Sequence, residues 1–359
     1  MGESDDNKFM RRCLELACSA EGMTYPNPLV GSVVVHKGKI IGEGYHLKAG
    51  GPHAEVIAIN SVADKEKLRY STLYVNLEPC SHHGKTPPCA DFIIASSITR
   101  IVIGTLDTSE KVSGRGVDKL RNAGCEVITG VNEKECRRLN RRFFTFNEKR
   151  RPYITLKWAQ SADRYIDILR SEDQETKPNW ISGKPERVLV HKWRSFEQAI
   201  LVGAGTIRAD NPKLNVREWK GNNPVKIILS GSGIFDIESA GNEKNDKAIV
   251  FTHNIDTNIP ETVKVKLNHE EPVSLQIIRY LHRAGIQSLL IEGGAEVLSQ
   301  FISNRLWDEA RIFKGTEYFK DGVRAPALKG ILLSVTSFTG SSLEIYINDS
   351  DPGSFKVDI

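Results

Sequence analysis

The stretch NLEPCSHHGKTPPCADF, residues 76–92, gathers two cysteines, two histidines and a lysine into one proline-punctuated loop. Its flanks decide the architecture. STLYVNL (71–77) runs into the loop as a short apolar strand, and CADFIIASSI (89–98) leaves it as a helix. Onward, RIVIGTLD (100–107) reads as a buried strand, GVDKLRNAG (116–124) as a helix stopped by glycine, and CEVIT (125–129) as a last strand. Upstream lie a helix at 7–22, two strands within 29–46 that turn at Lys37 and Gly38, and one helix over 53–68. Strands alternating with helices predict an α/β layer sandwich.

A basic segment, NEKECRRLNRRFFTFNEKRR (132–151), is expected to form a solvated linker helix that ends before Pro152. Beyond it the pattern restarts. PYITLKWAQSAD (152–163), AILVGAGTI (199–207), PVKIILSG (224–231), KAIVFT (247–252) and SLLIEGG (288–294) read as strands. KPERVLVHKWRSF (184–196), SLQIIRYLHRAG (274–285) and AEVLSQFISNRLW (295–307) read as helices, and RADNPKLNVR (208–217) as a loop. A chain of 359 residues exceeds one comfortable core, so two domains are expected, 1–148 and 149–359.

The net charge of +4 and the lack of a long Lys/Arg block argue against nucleic acid and fit an anionic small molecule. The polar, acidic start is unlike a signal peptide, and no apolar run approaches the roughly 18 to 20 residues that span a bilayer. A cytoplasmic protein without membrane partners is expected. In a reducing compartment the six cysteines favour metal binding or plain burial over disulfides. Cys13, Cys18, Cys125 and Cys136 read as small buried hydrophobes.

Cys80 and Cys89 read differently, because GPHAEV (51–56) supplies their complement. His53 would start a helix with Glu55 in its first turn. One imidazole and two thiolates give zinc three ligands and leave the fourth tetrahedral position open, as catalysis requires. A structural site would instead recruit His82 or His83 as a fourth ligand. H-x-E followed by P-C and a second cysteine resembles the signature of zinc deaminases. In that chemistry zinc acidifies a water toward a pKa of ~7, and a carboxylate that is not a ligand shuttles the protons; Glu55 suits that task.

Eight residues, Ser81 through Pro88, separate the two cysteines here, against the two common in nucleic-acid and free-cytidine deaminases. Together, TYPNPLVGSVVV (24–35), GEGYH (42–46), GPHAEV and LEPCSHHGKTPPC (77–89) resemble the deaminase half of the bifunctional deaminase/reductase family of riboflavin biosynthesis. LKWAQSAD (156–163), NWISG (179–183), HKWRS (191–195), ILVGAGTIRADNPKLNVR (200–217) and IEGG (291–294) are similar to its reductase half. The resemblance covers nearly the whole chain and thins over the last thirty or so residues. It implies a cytidine-deaminase-like α/β/α sandwich followed by a dihydrofolate-reductase-like α/β domain, with Zn2+ and NADPH as cofactors. It also implies a phosphorylated pyrimidine substrate and a homo-oligomer, dimer or tetramer.

Carried over by position, the resemblance assigns His53, Cys80 and Cys89 to zinc and Glu55 to catalysis. Asn27, His46, His82 and Lys85 would hold the first substrate. Ala159, Trp180, Thr206, Asp210, Gly293, Gly294 and Ala295 would meet NADPH. Lys157, Arg194, Leu214, Arg217 and Glu292 would hold the second substrate, the two arginines suiting its phosphate as planar forks. Two positions depart from the family pattern: Arg164 stands where glycine is usual, and Pro178 where a substrate-binding serine is expected. The alternative functional reading is a deaminase whose second domain only binds ligand or oligomerises. An RNA-editing deaminase would instead need basic grooves and aromatic stacking platforms, which neither the mild charge nor the aromatic distribution supports.

Overall fold

The computed structural model describes residues 5–81, 87–109, 114–169, 180–233, 248–256 and 262–349. The chain divides into two compact units, Met1–Arg150 and Arg151–Ile359.

The first unit runs α1 (Asp5–Cys18), β1 (Gly31–His36), β2 (Lys39–Tyr45), α2 (Ala54–Ser61), β3 (Thr72–Leu77), α3 (Cys89–Ala95), β4 (Arg100–Thr105), α4 (Arg115–Asn122), β5 (Glu126–Thr129), α5 (Glu133–Leu139) and α6 (Arg141–Lys149). Its sheet has the order β2-β1-β3-β4-β5; β1 is antiparallel to both neighbours, and β3, β4 and β5 are parallel. Strand side chains alternate between two apolar layers. Val34, Leu73, Val75, Ile101 and Ile103 meet Ala58 of α2, Ile93 of α3 and Leu120 of α4. Val33, Val35, Tyr74 and Val102 meet Phe9, Met10 and Cys13 of α1 and Cys136 of α5. This is the expected α/β/α sandwich.

Two helices are shorter than their patterns suggest. The helix expected over 53–68 ends at Ser61; after it Asp64 caps a separate 3-10 turn, Lys65–Tyr70, by accepting the Glu66 N–H. The supposed linker helix breaks at Asn140, whose buried side chain bonds both backbone groups of Leu29, at 2.7 and 2.9 Å. Nor is it a solvated linker. Cys136, Phe143 and Phe144 are buried on the apolar faces of the two short helices, and Arg142 is buried with them, its guanidinium paired with Glu21 at 3.3 Å.

The second unit runs β6 (Tyr153–Gln160), β7 (Tyr165–Asp167), α7 (Lys184–Phe196), β8 (Ala199–Gly203), α8 (Ala204–Asp210), β9 (Val225–Leu229), β10 (Ala248–Thr252), β11 (Thr262–Lys266), α9 (Val273–Arg283), β12 (Ser288–Ile291), α10 (Ala295–Ser303), β13 (Glu309–Gly315), β14 (Val323–Arg324), β15 (Ile331–Phe338) and β16 (Ser341–Ile347). Among the described residues nine strands form one sheet, β11-β10-β9-β8-β12-β6-β13-β16-β15. All pairs from β11 to β13 are parallel, and the hairpin β15–β16 closes one edge antiparallel. On one face α9 and α10 bury Leu281 and Phe301 against Ile154, Leu156, Leu201 and Phe251. On the other, Ile207 of α8 packs on Ile200 and Val202, and Trp193 of α7 packs on Phe313.

Residues 199–207, read as one strand, are a strand that stops at Gly203 and the start of a helix. Thr206 therefore lies on that helix and not on the expected strand, and Asp210 ends it instead of lying on the loop expected for 208–217. Arg164, the departure from glycine, adopts a left-handed backbone with φ 69° in the turn between β6 and β7. Its N–H bonds Ser161 and its carbonyl accepts from Ala325, so the turn forms despite the Cβ, at a cost of about 1 kcal/mol. The other departure, Pro178 within 171–179, lies outside the described residues.

Candidate active sites

In the first unit, His53 is the residue that precedes α2, and Cys89 opens α3. Cys80 follows β3 by three residues. These three elements aim one nitrogen and two sulfurs at a common point. His53 Nδ1 lies 3.1 Å from Cys89 Sγ and 3.6 Å from Cys80 Sγ, and all three donor atoms fall within 4.8 Å of one another. A tetrahedral ion about 2.0 Å from nitrogen and 2.3 Å from sulfur sets N···S near roughly 3.5 Å, so the donor set fits zinc. The Cys89 N–H, at the start of α3, points at Cys80 Sγ at 3.3 Å. The Cys89 thiol, and after it His53, hold the Cys80 thiol well below the usual thiol range. Both effects favour the thiolate that a metal needs.

A cavity of about 520 Å3 opens over this point, and Asn27, His46, Glu55 and Arg150 are among the residues that line it. Glu55 is only 3% exposed, and burial pushes its carboxyl up to about 7. A group titrating near neutrality can both take and give a proton. His46 bonds the Pro52 carbonyl through Nδ1 and meets the Asn27 amide nitrogen at 2.9 Å through Nε2. That pairing requires a neutral ring with its proton on Nδ1, and burial lowers the His46 pKa accordingly. His82 and Lys85, like His83, lie outside the described residues.

In the second unit the named positions gather near the carboxyl ends of the central strands, the end at which open parallel sheets bind ligands. Glu292 follows β12 directly and is the hub. Arg194 grips it with two bonds, Nε to Oε1 at 2.8 Å and Nη2 to Oε2 at 2.9 Å, while Lys157 Nζ stands 3.6 Å from Oε2. Burial opposes the Glu292 charge, but Arg194 and Lys157 outweigh it and hold the carboxyl at about 2. Burial lowers the Lys157 pKa, against the pull of Glu292. Arg194 Nη1 also donates to the Asn215 carbonyl at 3.2 Å, which ties the segment bearing Leu214 and Arg217 to α7. Leu214 is buried with φ 54°, a strained backbone of the kind that clusters at ligand sites.

Thr206 joins the glycine turn, its hydroxyl accepting the Gly294 N–H at 3.0 Å. A Cβ on Gly293 would come within 3.0 Å of Val297, so bare backbone leads into Ala295 and the nine-residue helix α10. The N–H groups of a helix start that are not already bonded, as the Gly294 N–H is to Thr206, fit the phosphates of a dinucleotide. Ala159 packs beside Trp193 and Phe313. Asp210 ends α8, and its charge reaches Lys157. Trp180 is half exposed, with the Arg187 guanidinium 4.7 Å above its ring.

Residues 3–105 match the model of the cytidine and deoxycytidylate deaminase zinc-binding region, and residues 152–315 match that of the RibD C-terminal domain. Riboflavin biosynthesis protein RibD of Aquifex aeolicus is 40% identical over 329 residues, covering 89% of each chain. The chain belongs to the RibD family. RibD of Escherichia coli is 33% identical, over 86% of this chain and 87% of that protein. The crystal structure of a diaminohydroxyphosphoribosylaminopyrimidine deaminase/5-amino-6-(5-phosphoribosylamino)uracil reductase from Thermotoga maritima superposes with a TM-score of 0.85 at 39% identity, covering 96% of this chain and 99% of that one. Acinetobacter baumannii RibD superposes equally well, TM-score 0.85, at 30% identity over 96% of this chain and 98% of its own. As in RibD, a zinc-dependent deaminase half precedes an NADPH-dependent reductase half, and the chain is a bifunctional enzyme of riboflavin biosynthesis acting on a small molecule. The deaminase-only alternative is not favoured. Among the described residues no helix is long and apolar enough to cross a membrane.

Several residues that shape these RibD sites escape a sequence reading. Asn76 and Asn140 both bond the Leu29 carbonyl and so hold the segment after Asn27. Asn147 and Arg150 reach the first cavity from α6 and its end. His191 Nδ1 receives the Arg217 N–H at 3.3 Å. Only Glu78, inside the EPC triplet, carried a local signal, by standing next to a metal-ligand motif.

Proposed function

We propose that His53, Cys80 and Cys89 hold the zinc, that Glu55 is the proton carrier, and that the first substrate is 2,5-diamino-6-(5-phosphoribosylamino)pyrimidin-4-one. Zinc bound at these ligands supplies an acidified water for attack on the ring carbon at position 2. Glu55 takes one proton from the attacking water and passes it to the ring nitrogen, then carries the proton of the newly added hydroxyl to the amine, which departs as ammonia. Asn27 and the neutral His46 orient the pyrimidine and its ribose, and His82 and Lys85 complete the grip on ring and phosphate. The convergence of three ligand atoms and the buried Glu55 on one cavity is the observation that carries this reading.

In the reductase half, NADPH supplies hydride to C1 of the ring-opened ribosyl chain, giving 5-amino-6-(5-phosphoribitylamino)uracil. Gly293, Gly294 and Ala295 meet the cofactor phosphates, and Ala159, Trp180, Thr206 and Asp210 flank its nicotinamide and ribose. Glu292 fixes Lys157 and Arg194, so that Lys157 offers a proton or hydrogen bond at the reacting centre. Arg217 receives the substrate phosphate, and Leu214 packs on the substrate. Arg194, whose fork is taken up by Glu292, holds the segment that bears Arg217 against the site. Deamination is assigned to residues 1–148 and reduction to 149–359. A cytoplasmic homo-oligomer, dimer or tetramer, completes the reading, supported by six unpaired cysteines and by exposed Ile331, Leu332 and Val335 on edge strand β15.

A coupled assay tests it. With the first substrate and NADPH, the wild-type enzyme is expected to consume NADPH. After chelation it should do so only when given the deaminated intermediate. Glu55→Gln should keep its zinc and lose deamination by about two orders of magnitude, the scale of removing an acid–base group. A zinc-loaded variant with undiminished deamination would overturn the role of Glu55.

A further inference from the structure

We propose that Glu78 is a positioning residue that fixes one wall of the deaminase pocket to the metal-ligand loop. Its side chain is 4% exposed, and its carboxylate accepts four backbone N–H groups. Oε1 takes Gly116 at 2.9 Å and Val117 at 3.3 Å; Oε2 takes Asp107 and Gly114, both at 3.1 Å. Capping the start of α4 accounts for the Gly116 and Val117 bonds. The Asp107 bond has another result, because Asp107, Thr108 and Ser109 line the same cavity as His53 and Glu55.

On the other side, Glu78 is joined through Pro79 to Cys80. Its own N–H donates to Thr105 at 3.0 Å, the last residue of β4 before this wall begins. One carboxylate therefore couples a metal ligand, a pocket wall and the start of α4. The junction is tight from the opposite side as well: a Cβ on Gly116 would lie 2.1 Å from the Pro79 carbonyl oxygen. A substrate that touches both wall and metal needs that spacing held to a fraction of an ångström.

This rests on the assignment of deamination to the pocket, and the experiment separates the two. Steady-state deamination of the diaminopyrimidine substrate, zinc content and reduction of the deaminated intermediate are measured on zinc-loaded full-length enzyme. In Glu78→Gln one oxygen becomes an NH2 that faces two N–H donors, so two charge-assisted bonds are lost. KM for deamination should rise about tenfold or more, equivalent to about 1.4 kcal/mol, with kcat changed less than about threefold. Zinc should stay near one per chain, and reduction should be untouched. Glu78→Asp, with both oxygens retained, should recover part of the KM. Gly116→Ala, which forces the same junction apart, should reproduce the KM increase and provides the reading if Glu78→Gln does not fold. A wild-type KM in Glu78→Gln or Gly116→Ala would overturn the proposal, as would zinc loss in step with activity or equal loss of both activities. A wild-type chain that cannot deaminate would instead sink the pocket assignment.

Discussion

At His191 a single ring nitrogen decides how the segment that bears Leu214 and Arg217 is held. Nδ1 can accept the Arg217 N–H only while the imidazole is neutral. Burial, with Arg194 and Arg217 close by, lowers its pKa to about 4, and Glu218 and Glu292 offset this only in part. The unfolded chain, with an ordinary value near 6.5, binds more protons between these two pH values. Stability from His191 is therefore complete above about pH 6.5 and drains away as pH falls toward 4. His191→Asn keeps an acceptor at the Nδ1 position but does not ionise. The inactivation temperature of the reductase half should drop less between pH 6.5 and 4.5 in this variant than in wild type; equal drops would refute the role. Nothing near His191 in sequence reveals this, because its partner is 26 residues away.

Elements reach the first site through close packing of backbone on backbone. Helix α2, which carries His53 and Glu55 at its start, lies on β2 across Gly42 and Gly44. A Cβ at Gly44 would meet the Ala58 nitrogen at 2.5 Å and the Ala54 carbonyl at 2.7 Å. Gly44→Ala must push the helix outward, at a cost of about 1–3 kcal/mol. Lower zinc occupancy and slower deamination are expected, with reduction unchanged; metal analysis beside both assays checks it, and full occupancy with normal deamination would count against it.

What the sequence discloses at this scale follows from range. His53 and Cys89 announce themselves because a helix start is a local event, with Glu55 or an apolar run a few residues on. The break at Asn140 is silent, since its cause is a bond to Leu29, 111 residues away. Helix α8 passes for strand because Ala204 and Gly205 carry no cap signal and Ile207 continues the apolar run. Strand β15 leaves no alternating pattern, since seven-tenths or more of its residues face out along an edge. The three candidate metal ligands were thus legible in the sequence; of the polar clamps around them, Asn76 and Asn140 were silent, and Glu78 showed only by its place in the EPC triplet.

At the scale of the whole molecule, the two units carry separate cores and separate sites. Arg217 lies in the second unit, an exposed guanidinium that donates to Asn215 Oδ1 at 3.2 Å. Arg217→Ala should raise KM for reduction about tenfold, the worth of one charge-assisted contact to phosphate, and leave deamination at the wild-type rate. Equal damage to both steps would show that the sites are not independent.

The position of β6 has a consequence for synthesis. It is the first strand of its unit to leave the ribosome, yet it pairs with β12 and β13, which begin at Ser288 and Glu309. More than a hundred residues must be translated while this apolar ribbon waits without either neighbour. Such long-range closure is slow and leaves sticky surface uncovered in the meantime. The nascent reductase half is therefore the stretch most in need of chaperone shelter, while the deaminase half, whose strands are all finished by residue 129, can settle well before it.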